Sequence, residues 1–186
     1  MYLGEEVRIT DWFIIHFTEN NGMAFGMEFG GMYGKLFLSV FRILFVSGLF
    51  YYLYTQVKEG VDKLYITCIA MVIAGASGNI LDSILYGKIF SSSMFQVATF
   101  LPADGGYAGW LHGKVVDMFY FPLVQGVFPS WLPIWGGQEF LFFRPVFNLA
   151  DASISVGIAM MLLFQKRFFA ATKAQEIAKE EGLTNS

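Results

Sequence analysis

The stretch LYITCIAMVIAGASGNILDSILY, residues 64–86, decides the fold. It is as long and apolar as the roughly 20 residues that a helix needs to cross a bilayer. It nevertheless contains Asn79 and Asp82, spaced i, i+3 on one helical face, with Gly75 and Gly78 one turn earlier on that side. Small residues let a neighbouring helix approach closely. The stretch therefore predicts a membrane helix that packs against another helix and carries polar groups.

Two further apolar stretches, residues 36–54 and 146–164, are long enough to span a membrane. Arg42 is the only charge in the first of them, and the second contains Asn148 and Asp151, again spaced i, i+3. A short polar turn joins residues 36–54 to 64–86, so these two spans form an antiparallel hairpin. With 55% hydrophobic and 15% charged residues, the 186-residue chain is more apolar than a soluble domain. The sequence predicts one membrane-embedded domain covering residues 1–186.

Composition also argues against several kinds of function. A net charge of −3 is unlike that of a nucleic-acid-binding protein, which needs a basic surface. The single cysteine, Cys68, lies in an apolar run and is read as a small buried residue. His16 and His112 form no HExxH pattern. We therefore predict no metal and no cofactor.

Positive charge in short flanks predicts the orientation of the spans. Lys58 and Lys63 lie in the turn after the first span, and the segment 165–186 is also basic, so both are expected on the cytoplasmic side. Residues 1–35 and 87–145 are then expected outside. Within them, residues 8–17 have high β propensity, and the aromatic-rich residues 107–135 suit the headgroup layer. Because the opening MYLGEEVRITDW contains no apolar run, we expect that a first span is missing from this sequence.

Three aspartates are predicted to gather near the outer membrane surface. Asp82 and Asp151 lie near the outer ends of helices that run in opposite directions, and Asp117 lies among apolar residues in GKVVDMF. Asp and Asn are costly inside a membrane and are functional candidates there by default. Two other interpretations are headgroup-layer carboxylates and hydrogen-bonded pairs that join helices.

Carboxylates held close together at low dielectric share a proton and titrate as a pair. One then activates water while the other, protonated, polarises a carbonyl, as in aspartic proteases. A triad of Ser153, His112 and Asp117 is disfavoured because no GxSxG elbow frames the serine. A phosphate-binding loop is disfavoured because GGYAGWLHGK has the wrong spacing. A proton-coupled transporter and a purely structural membrane subunit remain as alternatives.

Four blocks in order resemble the lipoprotein signal peptidase family, also called signal peptidase II. ENNGMAFGM is similar to its Asn-x-Gly-x-Ala-Phe motif, and GASGNILD to its helix motif. GKVVDMF is similar to its Val-Val-Asp strand, and FNLADASI to its Phe-Asn-x-Ala-Asp motif. The matched positions are Asn20, Gly22, Ala24, Phe25, Gly75, Gly78, Asn79, Asp82, Val115, Val116, Asp117, Phe147, Asn148, Ala150 and Asp151.

The resemblance implies an aspartic endopeptidase that cleaves prolipoproteins just before a cysteine carrying diacylglycerol. Its fold would be an all-α transmembrane helical bundle with a small outward-facing β cradle, having three spans here and four in the family. It would be a monomer of the bacterial cytoplasmic (inner) membrane, in contact with membrane lipid, with its active site near the outer face. The implied dyad is Asp117 and Asp151. Substrate-binding or supporting positions would be Asn20, Gly22, Asn79, Asp82 and Asn148.

The chain also departs from the family's pattern. We expect that the family's first helix, with its Asp and Lys, is missing from this sequence. Ser83 stands where the family commonly has Arg, and we consider Arg144 as a replacement for that charge. Residues 89–113 look like an insertion that could cover the groove, with Gly105, Gly106 and Gly109 giving it flexibility.

Overall fold

The computed structural model describes residues 1–21, 31–142 and 145–184. The elements in chain order are strands β1 (Glu6–Thr10) and β2 (Phe13–Asn20), helices α1 (Gly31–Glu59) and α2 (Lys63–Ile89), strands β3 (Val115–Tyr120), β4 (Val124–Val127), β5 (Glu139–Phe142) and β6 (Val146–Phe147), and helices α3 (Leu149–Leu163) and α4 (Gln165–Thr184). They form two compact units, one of Met1–Lys35 and Asp82–Leu149, the other of Leu36–Leu81 and Ala150–Ser186. A helical membrane protein with a small β sheet is thereby confirmed.

The first unit is built on a four-stranded sheet of order β1-β2-β3-β6. The predicted β segment at residues 8–17 is an antiparallel hairpin, with Glu6 opposite His16 and Arg8 opposite Ile14. Strand β2 then pairs antiparallel with β3, with Thr18 opposite Asp117. A separate two-stranded sheet is formed by β4 and β5.

The second unit contains most of the apolar helical surface. Helix α1 ends before Gly60, which has a φ of +68° and so takes the left-handed conformation that commonly closes a helix. Asp62 then caps α2, because its Oδ1 accepts the Leu64 N–H at 2.8 Å. Residues 33–59 and 63–89 are each long and apolar enough to cross a membrane. The phenylalanines at 37, 41 and 45 stack along the exposed side of α1, as suits a lipid-facing surface.

The helix within the predicted third span, residues 146–164, is shorter in the structure than the apolar run. Residues 146–147 belong to β6, and α3 is 15 residues long, about 22 Å at 1.5 Å per residue and short of the roughly 30 Å hydrocarbon layer. The chain bends by 65° between α3 and α4. Beyond the bend, Arg167 pairs with Asp62 at 2.9 Å and Phe168 packs on Tyr65. These contacts hold α4 against the turn between α1 and α2.

Glycines at three positions allow close backbone contact. A Cβ on Gly75 would lie 2.3 Å from the Ala150 oxygen, as expected for a close approach of α3 to α2. A Cβ on Gly106 would lie 2.1 Å from the Gly87 oxygen, and one on Gly113 would lie 2.2 Å from the Asp82 oxygen. Gly106 therefore serves close packing of residues 89–113 on the end of α2, whereas we had expected it to provide flexibility. Cys68 is fully buried, which confirms its interpretation as a core residue.

Candidate active site

Asp117 is a buried carboxylate in the middle of β3. Side chains alternate across a strand, and Asp117 lies on the same buried face as Val115, with only 5% of its surface exposed. A buried carboxylate is costly unless it is hydrogen-bonded. Its surroundings therefore have to supply donors.

Two asparagine amides supply such donors. Asn148, the residue before α3, donates its Nδ2–H to Oδ1 of Asp117 at 2.8 Å. Asn20, at the end of β2, donates to Oδ2 at 3.4 Å. The strand register explains the second contact, because Thr18 is opposite Asp117 and Asn20 is two residues further on the same face. The Thr18 hydroxyl also donates to the main-chain oxygen of Asp117 at 3.3 Å.

Asp82 binds the same strand, β3, through the backbone of Val116, the residue before Asp117. Its carboxylate accepts hydrogen bonds from the Val116 N–H and the Tyr86 hydroxyl. The N–H of Gly113 in turn donates to the Ser83 oxygen at 2.9 Å. The end of α2 thus holds the start of β3.

An ion pair to β2 also holds Lys114, the residue that precedes β3. Lys114 Nζ lies 2.7 Å from Glu19 Oε2, and Glu19 also accepts a hydrogen bond from the Ser93 hydroxyl. The Lys114 N–H donates to the Tyr107 oxygen at 2.7 Å, and burial raises the pKa of the Tyr107 hydroxyl. Residues 89–113, expected to be a flexible insertion, are therefore tied to β2 and β3 by side-chain contacts.

Asp151 belongs to the second unit, in the first turn of α3. Asn79 on α2 donates its Nδ2–H to Oδ1 of Asp151 at 2.7 Å. A carboxylate is favoured in this position by the partial positive charge of the helix N-terminus. Close packing at Gly75 and Gly78 brings α2 against Ala150, the residue before Asp151. The α2–α3 contact thus includes four of the residues that sequence analysis singled out, namely Gly75, Gly78, Asn79 and Asp151.

Arg42 is a residue whose role sequence analysis missed. It was noted only as the sole charge of the first span, yet it interacts electrostatically with Asp151. Arg42 lies on the partly buried side of α1, with the buried Ser39 and Val46 one turn away in each direction. Cations inside a membrane span face protein and pair with acids. That rule was the signal that could have linked Arg42 to Asp151.

The predicted site residues thus fall into defined groups. Asn20 and Asn148 meet at Asp117, Asn79 meets Asp151, and Asp82 meets the backbone of β3. Gly22 and Arg144 lie outside the described residues, so the predictions about them are unchanged. These aspartates belong to a helical membrane protein with a β sheet, and positioned carboxyl groups can act as general acids and bases.

Comparisons with solved structures agree with this fold. The fold is similar to that of a bacterial membrane enzyme solved by the in meso method at 1.9 Å, with a TM-score of 0.54 at 21% identity over 88% of this chain and 76% of the other. A second structure of a bacterial membrane enzyme, solved at 2.3 Å, gives a TM-score of 0.52 at 20% identity, covering 90% of this chain and 74% of the other.

Sequence comparison is more specific. Residues 1–167 match the family described as signal peptidase (SPase) II. The lipoprotein signal peptidase of Porphyromonas gingivalis is 53% identical over 168 residues, covering 90% of this chain and 73% of that protein. The lipoprotein signal peptidase of Amoebophilus asiaticus is 36% identical, covering 87% of this chain and 64% of that protein. The chain belongs to the signal peptidase II family, and it is a hydrolase of the aspartic peptidase type.

Proposed function

We propose that this chain removes the signal peptide from prolipoproteins, with Asp117 and Asp151 as its two catalytic carboxylates. The observation that carries the proposal is that an asparagine amide binds each of them, Asn148 on Asp117 and Asn79 on Asp151. An amide donor orients a carboxylate without adding a charge. The amides would keep each carboxyl group oriented while its proton is exchanged, and Asp151 also interacts with the charge of Arg42.

The proposed reaction is attack of water on the scissile carbonyl. One aspartate, as the carboxylate, takes a proton from the water, while the other donates a hydrogen bond to the carbonyl oxygen. The first aspartate then acts as the acid and passes this proton to the leaving amine, which restores the starting protonation states of the pair. This chemistry uses side chains of the chain alone.

The substrate would be a diacylglyceryl-modified prolipoprotein, cut just before the lipidated cysteine. Its acyl chains would remain in the bilayer beside the helices, because extraction costs about 0.8 kcal/mol per CH₂. Asn20, Asn79, Asn148 and Asp82 would position the two acids, as their contacts in each unit support. Gly22 is assigned to the substrate groove by resemblance alone, and Arg144 would supply the charge of the Arg that the family commonly has where Ser83 stands.

We further propose that the enzyme acts as a monomer in the bacterial inner membrane, with the site near the outer face. The support for this orientation is the positive charge of the turn at Lys58 and Lys63 and of the segment beyond α3. Membrane lipid would surround the exposed apolar faces of the helices.

The test is cleavage of a diacylglyceryl prolipoprotein by protein reconstituted in liposomes. We expect Asp117→Asn and Asp151→Asn each to lower kcat at least 1,000-fold, because each removes a group that exchanges a proton in the reaction. Asp82→Asn should retain measurable cleavage. Asp104→Asn, in an exposed turn, is the matched control and should cleave at the parent rate.

Two results would contradict the assignment. Parent-rate cleavage by both Asp117→Asn and Asp151→Asn would show that the dyad is wrong. Complete loss in Asp82→Asn, with an unchanged melting temperature, would show that Asp82 belongs to the reacting pair.

A further inference from the structure

The hairpin formed by β4 and β5 is small and exposes many apolar side chains. Among the described residues, the two strands pair only with each other, with Val124 opposite Phe142 and Val127 opposite Glu139. An isolated two-stranded hairpin is marginally stable in water. This hairpin therefore needs support from its surroundings.

The loop of the hairpin is ordered by its own contacts. Phe128 packs against Phe140 at 4.7 Å between ring centroids and also contacts Trp135. The Phe128 N–H donates to the Gln138 oxygen, and the Gly137 N–H donates to the Phe128 oxygen, both at 2.9 Å. The tip thus presents a defined surface.

The surface of the hairpin tip is apolar and carries no charged side chain. Residues 118–138 contain no Asp, Glu, Lys, Arg or His. Trp131 is 78% exposed and Ile134 is 71% exposed. Other apolar side chains of the hairpin are exposed by half or more, namely Leu123, Val124, Val127, Trp135 and Phe142. A patch of this kind marks an interaction site.

The chemistry of the patch selects the bilayer as its occupant. The chain has at least two helices that can cross a membrane, so a lipid surface is always present. Tryptophan is enriched at the membrane interface, where its ring is apolar and its N–H reaches polar groups. At the two outer edges of a two-stranded sheet, backbone N–H and C=O groups have no strand partner and need hydrogen bonds from water or lipid headgroups. The hairpin therefore cannot insert deeply into the hydrocarbon layer.

We propose that the β4–β5 hairpin, residues 123–142, is a membrane-interface anchor that inserts its Trp131–Ile134–Trp135 tip into the headgroup layer. The depth expected for such an element is about 5–10 Å. Strand β3 continues into the hairpin through Phe121 and Pro122, so the anchor also limits the movement of the strand that carries Asp117. This inference is independent of the protease chemistry.

The test places a single fluorescent label at the tip. Ser130→Cys, at an exposed position, is labelled with an NBD group in the full chain reconstituted in phosphatidylcholine–phosphatidylglycerol nanodiscs. The native Cys68 is fully buried and does not compete for the label. Asp104→Cys, in the exposed turn after Pro102, is the matched control.

We expect a blue-shifted emission from the label at position 130, quenched at least twofold more by nitroxide-labelled lipid than the label at position 104. A water-soluble quencher should show the opposite order. Equal water accessibility at the two positions overturns the proposal. The proposal is also overturned if the label at position 130 loses its protection from the water-soluble quencher when each nanodisc holds a single protomer. In that case a second copy of the chain, and not the bilayer, would cover the hairpin tip.

If labelling disturbs the tip, the unlabelled chain gives a second measurement. Trp131→Ser, which leaves the Phe128–Trp135 contact in place, should speed hydrogen exchange of the Val124–Val127 amides in nanodiscs by at least tenfold, because the hairpin loses support from the membrane. Unchanged exchange in this variant overturns the proposal.

Discussion

The carboxylate of Asp117 and the carboxylate of Asp62 are held in different ways. Asp117 on β3 accepts amide hydrogens from Asn148 and Asn20, which are neutral. Asp62, between α1 and α2, accepts hydrogens from Arg167 and from the backbone N–H of Leu64. A guanidinium favours the charged form of its partner, whereas a neutral amide fixes the orientation of a carboxyl group without adding a charge of its own. We infer that Asp117, which two amides orient, is a reactive acid and that Asp62 is structural.

The amide of Asn148 gives the largest expected effect after the two acids themselves. Asn148→Ala removes a hydrogen bond to a carboxylate, worth about 1.5–3 kcal/mol. If the bond orients Asp117 for reaction, kcat should fall about 10- to 100-fold. KM should change less than threefold. Both constants come from initial rates with a lipidated prolipoprotein.

Thr18→Val is the matched comparison, since the Thr18 hydroxyl bonds the main-chain oxygen of Asp117 and not its carboxylate. A neutral hydrogen bond contributes about 1 kcal/mol, so we expect a loss of about fivefold. Equal losses in Asn148→Ala and Thr18→Val would mean that the amide contributes only to strand stability.

The packing at Gly75 gives the next effect, and it concerns the acid on α3. Gly75→Ala puts a Cβ 2.3 Å from the Ala150 oxygen and 2.8 Å from the Ile154 side chain. The helices must move apart, at a cost of about 1–3 kcal/mol, and the Asn79–Asp151 hydrogen bond is displaced with them. We expect a lower melting temperature in detergent and a lower cleavage rate.

Gly78→Ala tests the same helix pair with much less strain, because its Cβ would lie 3.4 Å from the Ala150 Cβ. Its melting temperature should stay close to that of the parent. If Gly78→Ala is as damaging as Gly75→Ala, steric contact at Ala150 is not the cause.

Local patterns predicted much of this arrangement. The small residues of GASGNILD predicted a close helix contact, and Gly75 packs against α3 as expected. The spacing of Asn79 and of Asp151 predicted polar groups on packed faces, and the two side chains bond each other. Such features depend on helical periodicity alone, which is readable from one sequence.

Other features depend on contacts between distant residues. Asn148 reaches Asp117 across 31 positions, and that contact requires strand and helix positions that periodicity does not specify. The 65° bend between α3 and α4 was not predicted either, because periodicity does not show how the segment after residue 164 packs. The pairing of Arg167 with Asp62, which ties α4 to the turn between α1 and α2, is a tertiary contact across 105 positions.

The ion pair at Asp62 gives the smallest expected effect, and one that depends on pH. Burial raises the pKa of Asp62, but the hydrogen bond from Arg167, the Leu64 N–H and the Arg167 charge outweigh it, so the pKa is lowered overall. A lowered pKa in the folded state adds stability above the unfolded value near 3.9, and this is lost as pH falls through the folded value. Asp62→Asn should therefore lower the melting temperature at pH 7, and the difference from the parent should shrink below about pH 4.

Asp11→Asn is the control for this variant. Asp11 pairs with Arg8 at 3.5 Å, but both side chains are exposed, so the substitution should have no measurable effect on the melting temperature. Cleavage at pH 7 should be the same in Asp62→Asn as in the parent, whereas a loss like that of Asn148→Ala would show that an ion-paired acid also takes part in the reaction.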